Sequence, residues 1–472
     1  MTTTIPPTAS VAPKLRRNLV LWHVIIIGLA YIQPMTLFDT FGMVSRDSGG
    51  HVPMSYVFAL FAIMLTSVSY GHMIRRYPSS GSAYTYAQKA IHPNVGFLVG
   101  WSSWLDYLLA PMVNIILAEI YLKDIFPVVP AWIWVVSLTA VMTGVNLFGA
   151  RFVARFNSTI VFVQLAVIAF FTYRVYDFLA NGVTADGAID TAKYQLWTFD
   201  PFWTNGTEIS ALIAGATLLC FSFTGFDALS SLAEETKDSK KTLPKAIVLT
   251  SLISGIIFII STYFMQIYFP SHPDAYFKLV DETQPEILHY ILGEGLKTIV
   301  LYFAIVTVMA SGISAHAGVS RLMYVMGRDG VINKKIFGTL HPKLHTPVNN
   351  ILIAGLVALT AIPFSLEDVV ELISFGALTA FSFVNFSVVC QYIFRDGQYR
   401  TFGDIVNYLI IPTGGFIAVF LMWLNIDPTA LKYGLIWAII GMFYLGYVTR
   451  GFKHPAPVHY DDHGHYHEEE IQ

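Results

Sequence analysis

Residues 219–229 read LCFSFTGFDAL, an apolar run interrupted by Ser222, Thr224 and Gly225 and then by a carboxylate, Asp227. Gly lowers helix propensity, and Ser and Thr can satisfy loosened backbone groups with their own hydroxyls. The run therefore reads as a helix that breaks, with an acid just past the break. What such a break means depends on the solvent around it, and composition decides that. Of 472 residues, 55% are hydrophobic and 12% charged, with a mean hydropathy of +0.58; a soluble domain carries roughly 25% charged residues. The chain is expected to lie in a bilayer.

Apolar stretches of about 20 residues, enough to cross a membrane as helices, fall at 19–45, 52–73, 95–123, 130–149, 152–178, 208–233, 244–269, 295–326, 348–364, 367–394, 405–425 and 430–450. A β-barrel would show alternating segments of about ten residues, and these runs are longer and continuously apolar. The expected fold class is thus an all-α membrane protein of twelve spans, flanked by tails at 1–18 and 451–472. The N-terminal APKLRRN carries three cations, and no small-residue cleavage site follows the apolar run, so both tails are expected in the cytoplasm of a bacterial cell, with the spans in its inner membrane. That topology puts 21 of the 28 Lys and Arg inside and 7 outside, as the positive-inside tendency requires. It leaves 16 of the 31 acids outside, nine in excess of the outer cations, and four acids within the membrane without Lys or Arg. A small cation is the favoured visitor.

The first span repeats the opening motif. In GLAYIQPMTLFDTFG, residues 28–42, Pro34 removes a backbone donor and crowds the preceding turn, so carbonyls near Gly28 to Tyr31 lose their partners. Inside lipid that is tolerated only where the backbone lines a cavity. Breaks at corresponding places five helices apart point to a secondary transporter built from inverted repeats, with its site at mid-membrane between them. The repeats are expected at about 19–178 and 208–394, with two extra helices at 405–450. Kinks also occur in membrane helices for packing alone.

Four acids are read as lying inside the membrane: Asp39, Asp106, Glu119 and Asp227. A charge at mid-bilayer costs a few kcal/mol and is by default a functional candidate. Glu119 is near the outer end of its span, whereas the other three are deep. Each could instead be neutralised by Ser, Thr or Tyr and merely hold helices together. Three together without an internal base suit a substrate with two ammonium groups, or a proton carrier. Among the aromatics of these segments (Tyr31, Trp101, Trp104, Tyr107, Phe221, Phe223, Phe226), the broken helices and Asp106 single out Tyr31, Tyr107 and Phe221 as cation-facing rings. Gln33 and Thr224, at the breaks, are candidates to hydrogen-bond substrate. His316 titrates near neutral pH as a free side chain and is a further proton-coupling candidate beside Asp227 and Asp106, although a lone His in a helix is also an ordinary interhelical hydrogen-bonder.

Three stretches then carry a resemblance: RRYPSSGSAYTYAQKAI (75–91), FSFTGFDALSSLAEETKDSKKTLPKAI (221–247) and SRLMYVMGRDGVIN (320–333). Each resembles a signature of the amino acid-polyamine-organocation (APC) transporters, and together they span essentially all the helices. Within that superfamily GLAYIQPMTLFDTFG, GWSSWLDYLLAPM and SGISAHAGVSRLMYVMGRDG look most like bacterial putrescine importers. The resemblance implies the LeuT/APC-type fold of two inverted five-helix repeats with helices 1 and 6 broken, and proton-driven import of a small diamine. It places Asp227 where relatives couple protons, Phe221 where they have an aromatic gate and Asp106 where many have a third-helix acid. Two departures stand out. The first break, AYIQP, lacks the Gly- and Ser-rich sequence whose amides hold an amino acid carboxylate, and Gln164 stands where some relatives have a fifth-helix Lys.

The resulting expectation is a proton-coupled importer of putrescine or a close diamine, with a cationic or neutral amino acid permease or exchanger as the nearest rival. A polyamine sensor is a third possibility, and the 22 residues after 450 are short for a signalling domain. No enzyme motif, cofactor, resident metal or nucleic-acid partner is called for. Cys220 and Cys390 read as small apolar fillers. The tail HYDDHGHYHEEE, with His459, His463, His465 and His467, reads as a solvated segment able to hold a metal only weakly. Oligomeric state is left open.

Overall fold

A computed structural model describes residues 19–78, 81–148, 153–183, 195–270, 273–328, 330–342, 344 and 346–456; the His-rich tail lies outside them. The helices are α1 (Leu21–Ile32), α2 (Thr36–Asp47), α3 (Val52–Arg76), α4 (Ser82–Ala90), α5 (Pro93–Ile125), α6 (Ala131–Phe148), α7 (Val153–Ala180), α8 (Ile209–Phe223), α9 (Ser239–Tyr268), α10 (Thr283–Arg328, interrupted at Gly293), α11 (Lys334–Phe337), α12 (Val348–Leu359), α13 (Leu366–Val388), α14 (Phe402–Ile405), α15 (Ile411–Trp423) and α16 (Pro428–Val448). A 3₁₀ segment, Asp227–Glu234, continues α8 after a break. Among the described residues nine helical spans are long and apolar enough to cross a membrane, and the bent pair α1 and α2 makes ten. Two further apolar helices, Ala131–Leu147 and Val348–Leu359, are shorter. The ninth expected span, 348–364, is thus a 12-residue helix followed by a turn.

Local chemistry sets the helix starts. Ser365 with Asp368 and Thr401 with Asp404 form capping boxes. Asp427 accepts from the amides of Thr429 and Ala430, with Pro428 in the first turn of α16.

Helix α5 runs through the middle of the bundle, packed on α10 and α13. Its apolar window is 83% buried within the protein, against 17% for the peripheral α16. The polar residues of α5 therefore face other helices, not lipid. Apolar burial gives no drive for association between helices already in lipid, so close packing and interhelical hydrogen bonds hold the bundle. Gly376 of α13 lets that helix lie directly on α5: a side chain there would meet the Ser102 carbonyl at 2.9 Å and Asp106 Cβ at 3.0 Å. Ser67 bonds Ser251 across α3 and α9, Thr172 bonds Ser261 across α7 and α9, and Asn385 donates to Thr66 across α13 and α3. Such bonds contribute about 0.6 kcal/mol each.

The contacts sort the helix ends into two groups. At one end Leu19 pairs with the chain beside Thr236, through Leu19 N–H to the Glu235 carbonyl (3.1 Å) and Lys237 N–H to the Leu19 carbonyl (2.9 Å). Arg76 meets Asp396, and the Ala456 amide reaches Asn94 at the same end. At the opposite end Arg46 holds Glu367 and Asp47, Lys123 holds Glu282, and Lys297 holds Asp124. The start of α1 and the end of α2 are thus anchored separately, one at each end of the bundle.

The two breaks also meet each other. Gly225 has φ +114°, and a Cβ there would lie 2.9 Å from Tyr31 Cβ and 3.0 Å from the Tyr31 carbonyl carbon. Gly225→Ala is therefore expected to cost roughly 1–3 kcal/mol in backbone strain alone. The purified variant should melt measurably below wild type, with the contact between the breaks forced apart. An unchanged melting temperature would show that this contact does not hold the bundle.

Candidate functional site

The site is built from two interruptions. Helix α1 ends at Ile32, and Gln33 turns left-handed at φ 53° and ψ 76°, with its N–H donating to the Leu29 carbonyl at 3.1 Å. A non-glycine residue pays roughly 1–2 kcal/mol for that conformation, so the turn is held by its surroundings. Pro34 has no N–H, which leaves the Ala30 carbonyl without its helical donor. The chain resumes at α2 after a bend of 50°. In the second interruption Thr224 is extended (ψ 132°), Gly225 takes positive φ, and the 3₁₀ segment begins at Asp227. The Gly225 amide donates to Asp227 Oδ1 at 3.2 Å, and the amides of Asp227 and Ala228 also point at the carboxyl. Asp227 is thus the first residue of the restarted helix, where an anion is favoured by exposed amides and the helix dipole.

Asp106, 6% exposed on α5, lies under Gly376 and within electrostatic reach of Asp227, which is 7% exposed. Tyr107 lies within reach of both acids and of Tyr31. Tyr70 of α3 and Tyr86 of α4 lie within reach of Asp227. The two acids and these four tyrosines form one neighbourhood around the paired breaks, and among the described residues neither acid makes a salt bridge. Tyr31 is 37% exposed although it sits at the break, because it borders a cleft. Ala30, Gln164, Thr307, Ser311 and Ser314 line the same cleft, which has only about 10 Å³ open to the centre of a water. Gln164 is 1% exposed, and its Oε1 has no hydrogen-bond partner.

Tyr70, Tyr86 and the polar face of α10 were not among the residues expected from sequence. Thr307, Ser311 and Ser314 recur at helical spacing on one face, and Tyr86 lies inside RRYPSSGSAYTYAQKAI. Both signals were available.

Other expected site residues are placed elsewhere. Asp39, 3% exposed, accepts a 2.8 Å bond from Tyr121. Gln284 lies 3.1 Å from the same hydroxyl. The hydroxyl carries one proton, so it donates either to Asp39 Oδ1 or to Gln284 Oε1 at any moment. Tyr121 is fifteen residues beyond Asp106 on α5, or about 22 Å along a helix rising 1.5 Å per residue. The structure thus does not bring Asp39 together with Asp106 and Asp227; it splits the expected three-acid site into a pair and a separate hydrogen-bonded acid. His316 is fully buried and bonds the Ile351 carbonyl through Nε2 at 2.8 Å, linking α10 to α12. Trp101 stacks on Trp437 with centroids 4.9 Å apart, and each indole N–H donates to the other's carbonyl at 2.9 Å. Trp101 and Trp104 thus join α5 to α16. Phe221, half-buried in the last turn of α8, and Thr224, whose hydroxyl donates to the Cys220 carbonyl, sit on the approach to the break. Gln33 is buried at its own break. Cys220 packs its sulfur 3.6 Å from that of Met422.

A profile of the family described as Amino acid permease matches residues 23–446. The low-affinity putrescine importer PlaP of Escherichia coli K12 is 50% identical over 448 residues, covering 95% of this chain and 97% of that protein. The branched-chain amino acid permease BcaP of Bacillus subtilis is 24% identical, over 91% and 92% of the two chains. The cationic amino acid transporter 4 of Mus musculus is 27% identical, over 81% of this chain and 60% of its own. Alongside the apolar helices and the two matched interruptions, these similarities show that this multi-pass membrane protein is a transporter, not an enzyme, and belongs to the amino acid permease family of the APC superfamily.

Proposed function

We propose that the chain imports putrescine or a close short diamine across the bacterial inner membrane, coupled to protons, with both termini cytoplasmic. The observation that carries this reading is the buried pair Asp106 and Asp227, without a salt bridge, beside two touching helix breaks. Two carboxyls this close in a dry interior need compensating positive charge. The ammonium groups of a diamine supply it during transport, and a proton supplies it on the return. Tyr31, Tyr70, Tyr86 and Tyr107 offer ring faces and hydroxyls to the same cation. Identity to a protein named as a putrescine importer supports the choice of cargo.

In this reading α6 and α12 complete twelve spans, and α1 with α2 and α8 with its 3₁₀ continuation are the equivalent broken helices of two inverted repeats, 19–178 and 208–394, followed by the extra helices 405–450. The end carrying Leu19, Arg76 and Lys237 faces the cytoplasm, and the end carrying Arg46 and Glu367 faces outward. Alternating access follows from releasing one set of end ties while the other holds.

The amino acid rival is named by the less similar relatives. An amino acid carboxylate brought beside Asp106 and Asp227 would meet two more negative groups, which disfavours it.

Purified protein in liposomes, given labelled putrescine outside, tests the reading. Uptake should rise when the outside is more acidic than the lumen, and unlabelled diamines should compete where lysine and arginine do not. Lysine uptake in place of putrescine uptake would overturn the cargo assignment. In the same vesicles Asp227→Asn should lower uptake by about a hundredfold or more, the size of losing one partner of a buried charge pair. Asp39→Asn keeps an oxygen for Tyr121 to bond, so its uptake should stay within about threefold of wild type, the change expected when a neutral bond replaces a charge-assisted one. Equal losses in Asp227→Asn and Asp39→Asn would mean that the acids act structurally.

A further inference from the structure

A second acidic cavity lies far from the breaks, at the end we place outward. It has a volume of about 140 Å³ and is walled by Glu367, Asp368 and Glu371 of α13, Asp427 at the start of α16, and the rings of Tyr433 and Phe364. The three α13 acids stand at i, i+1 and i+4, so Glu367 and Glu371 share a face one turn apart. Glu371 is the informative member. It is 8% exposed, and its Oε2 is buried without a hydrogen-bond partner. The Asp427 amide donates to its carboxyl, while Asp427, Asp47 and Glu367 all bear on it with the same sign. Burying a carboxyl oxygen without a donor costs free energy that a structural role would normally recover through a bond.

The nearby cations do not fill this need. Arg46 is engaged with Glu367 and Asp47 at the edge, and Lys432 places its ammonium 5.9 Å from the centre of the Tyr433 ring. Five carboxyls (Asp47, Glu367, Asp368, Glu371, Asp427) against these two bases leave an excess of three. The acids are spread along the walls: among the described residues no three His, Cys, Asp or Glu come close enough to hold a metal ion. Spaced carboxyls, an unsatisfied buried oxygen and aromatic rings match spaced ammonium groups better than a point charge.

We propose that this cavity is a peripheral binding site for an aliphatic oligoamine, with one ammonium on Glu371 and Asp427 and another toward Asp368. The proposal rests on the function above in its choice of an oligoamine as ligand and in the outward placing of this end. Such a site would gather the cargo at the outer mouth of the pathway.

Equilibrium binding of labelled spermine and labelled putrescine to the full chain in nanodiscs tests it. Asp106→Asn with Asp227→Asn should remove the central component and leave a weaker saturable one for spermine. Adding Glu371→Gln with Asp427→Asn should weaken that residual component by about tenfold, as for loss of a charge-assisted hydrogen bond. Asn can still cap α16 at position 427. As a control on folding, Glu371→Gln with Asp427→Asn in the wild-type background should leave the central component and the melting temperature unchanged. Calcium chloride at matched ionic strength should not displace the residual spermine. Absence of residual binding, residual binding indifferent to the Glu371 and Asp427 changes, or displacement by calcium below the spermine concentration would each overturn the proposal. Failure of the central reading looks different: Asp106→Asn with Asp227→Asn would bind putrescine as wild type does.

Discussion

Backbone contact between Gly225 and Tyr31 is the constraint on which the rest of the arrangement depends. Because residue 225 has no side chain and can take positive φ, two interrupted helices touch at their breaks. That contact brings the freed carbonyl of Ala30, the carboxyl of Asp227 and the ring of Tyr31 into one region of a helix bundle. Within an intact membrane helix backbone groups are spent on one another. Here they are not, and α5, buried on nearly all sides, adds Asp106 and Tyr107 from the third direction.

Much of this was legible in the sequence because its causes are local. Pro34 announces the first break by a missing N–H, and Gly225 between Thr224 and Phe226 announces the second. The acids stood out against apolar surroundings, as did the apolar runs that became helices. What was not legible depended on partners distant in sequence. Asp39 looked equivalent to Asp106, and only the approach of Tyr121 to its Oδ1 sets it apart. His316 looked like a titrating group, but its ring is committed to the Ile351 carbonyl 35 positions away. Trp101 stood out only as one of many aromatics, and its place as half of a reciprocal stack with Trp437 depends on a partner 336 positions away. The tyrosines around Asp227 were hidden for the opposite reason. Tyr70 sits in an ordinary apolar span where nothing local distinguishes it from packing, and Tyr86, although inside a quoted motif, lies in a short helix far in sequence from Asp227.

Asp227 shows why structural and functional roles need not compete. Its carboxyl accepts from the Gly225 amide and so ties the break to the first residue of the 3₁₀ segment, which is structural work. A break tied in this way is also a preorganised one: the carboxyl's position is set before any cation arrives, so little ordering is charged against binding. Asp106 has no such amide tie and is positioned by the close approach of α13 at Gly376. The two acids of the proposed site are therefore held by different elements, one by the restarted helix and one by the central helix. Movement between those elements would change their separation, and with it their joint preference for a dication.

The end ties give that movement a direction. Leu19 at the start of α1 is tied to the residues following the 3₁₀ segment, whereas Arg46 at the end of α2 is tied to α13. The 50° break lies between the two anchors. An unbroken helix would transmit any displacement at one anchor to the other, since its hydrogen-bond ladder is stiff along its length. With Gln33 and Pro34 interrupting the ladder, α1 can tilt while α2 stays docked, or the reverse. Alternating access, as proposed for this chain, needs that independence of the two ends combined with a shared site where they join. The backbone offers both where Tyr31 meets Gly225, which is also where the charge to be compensated lies.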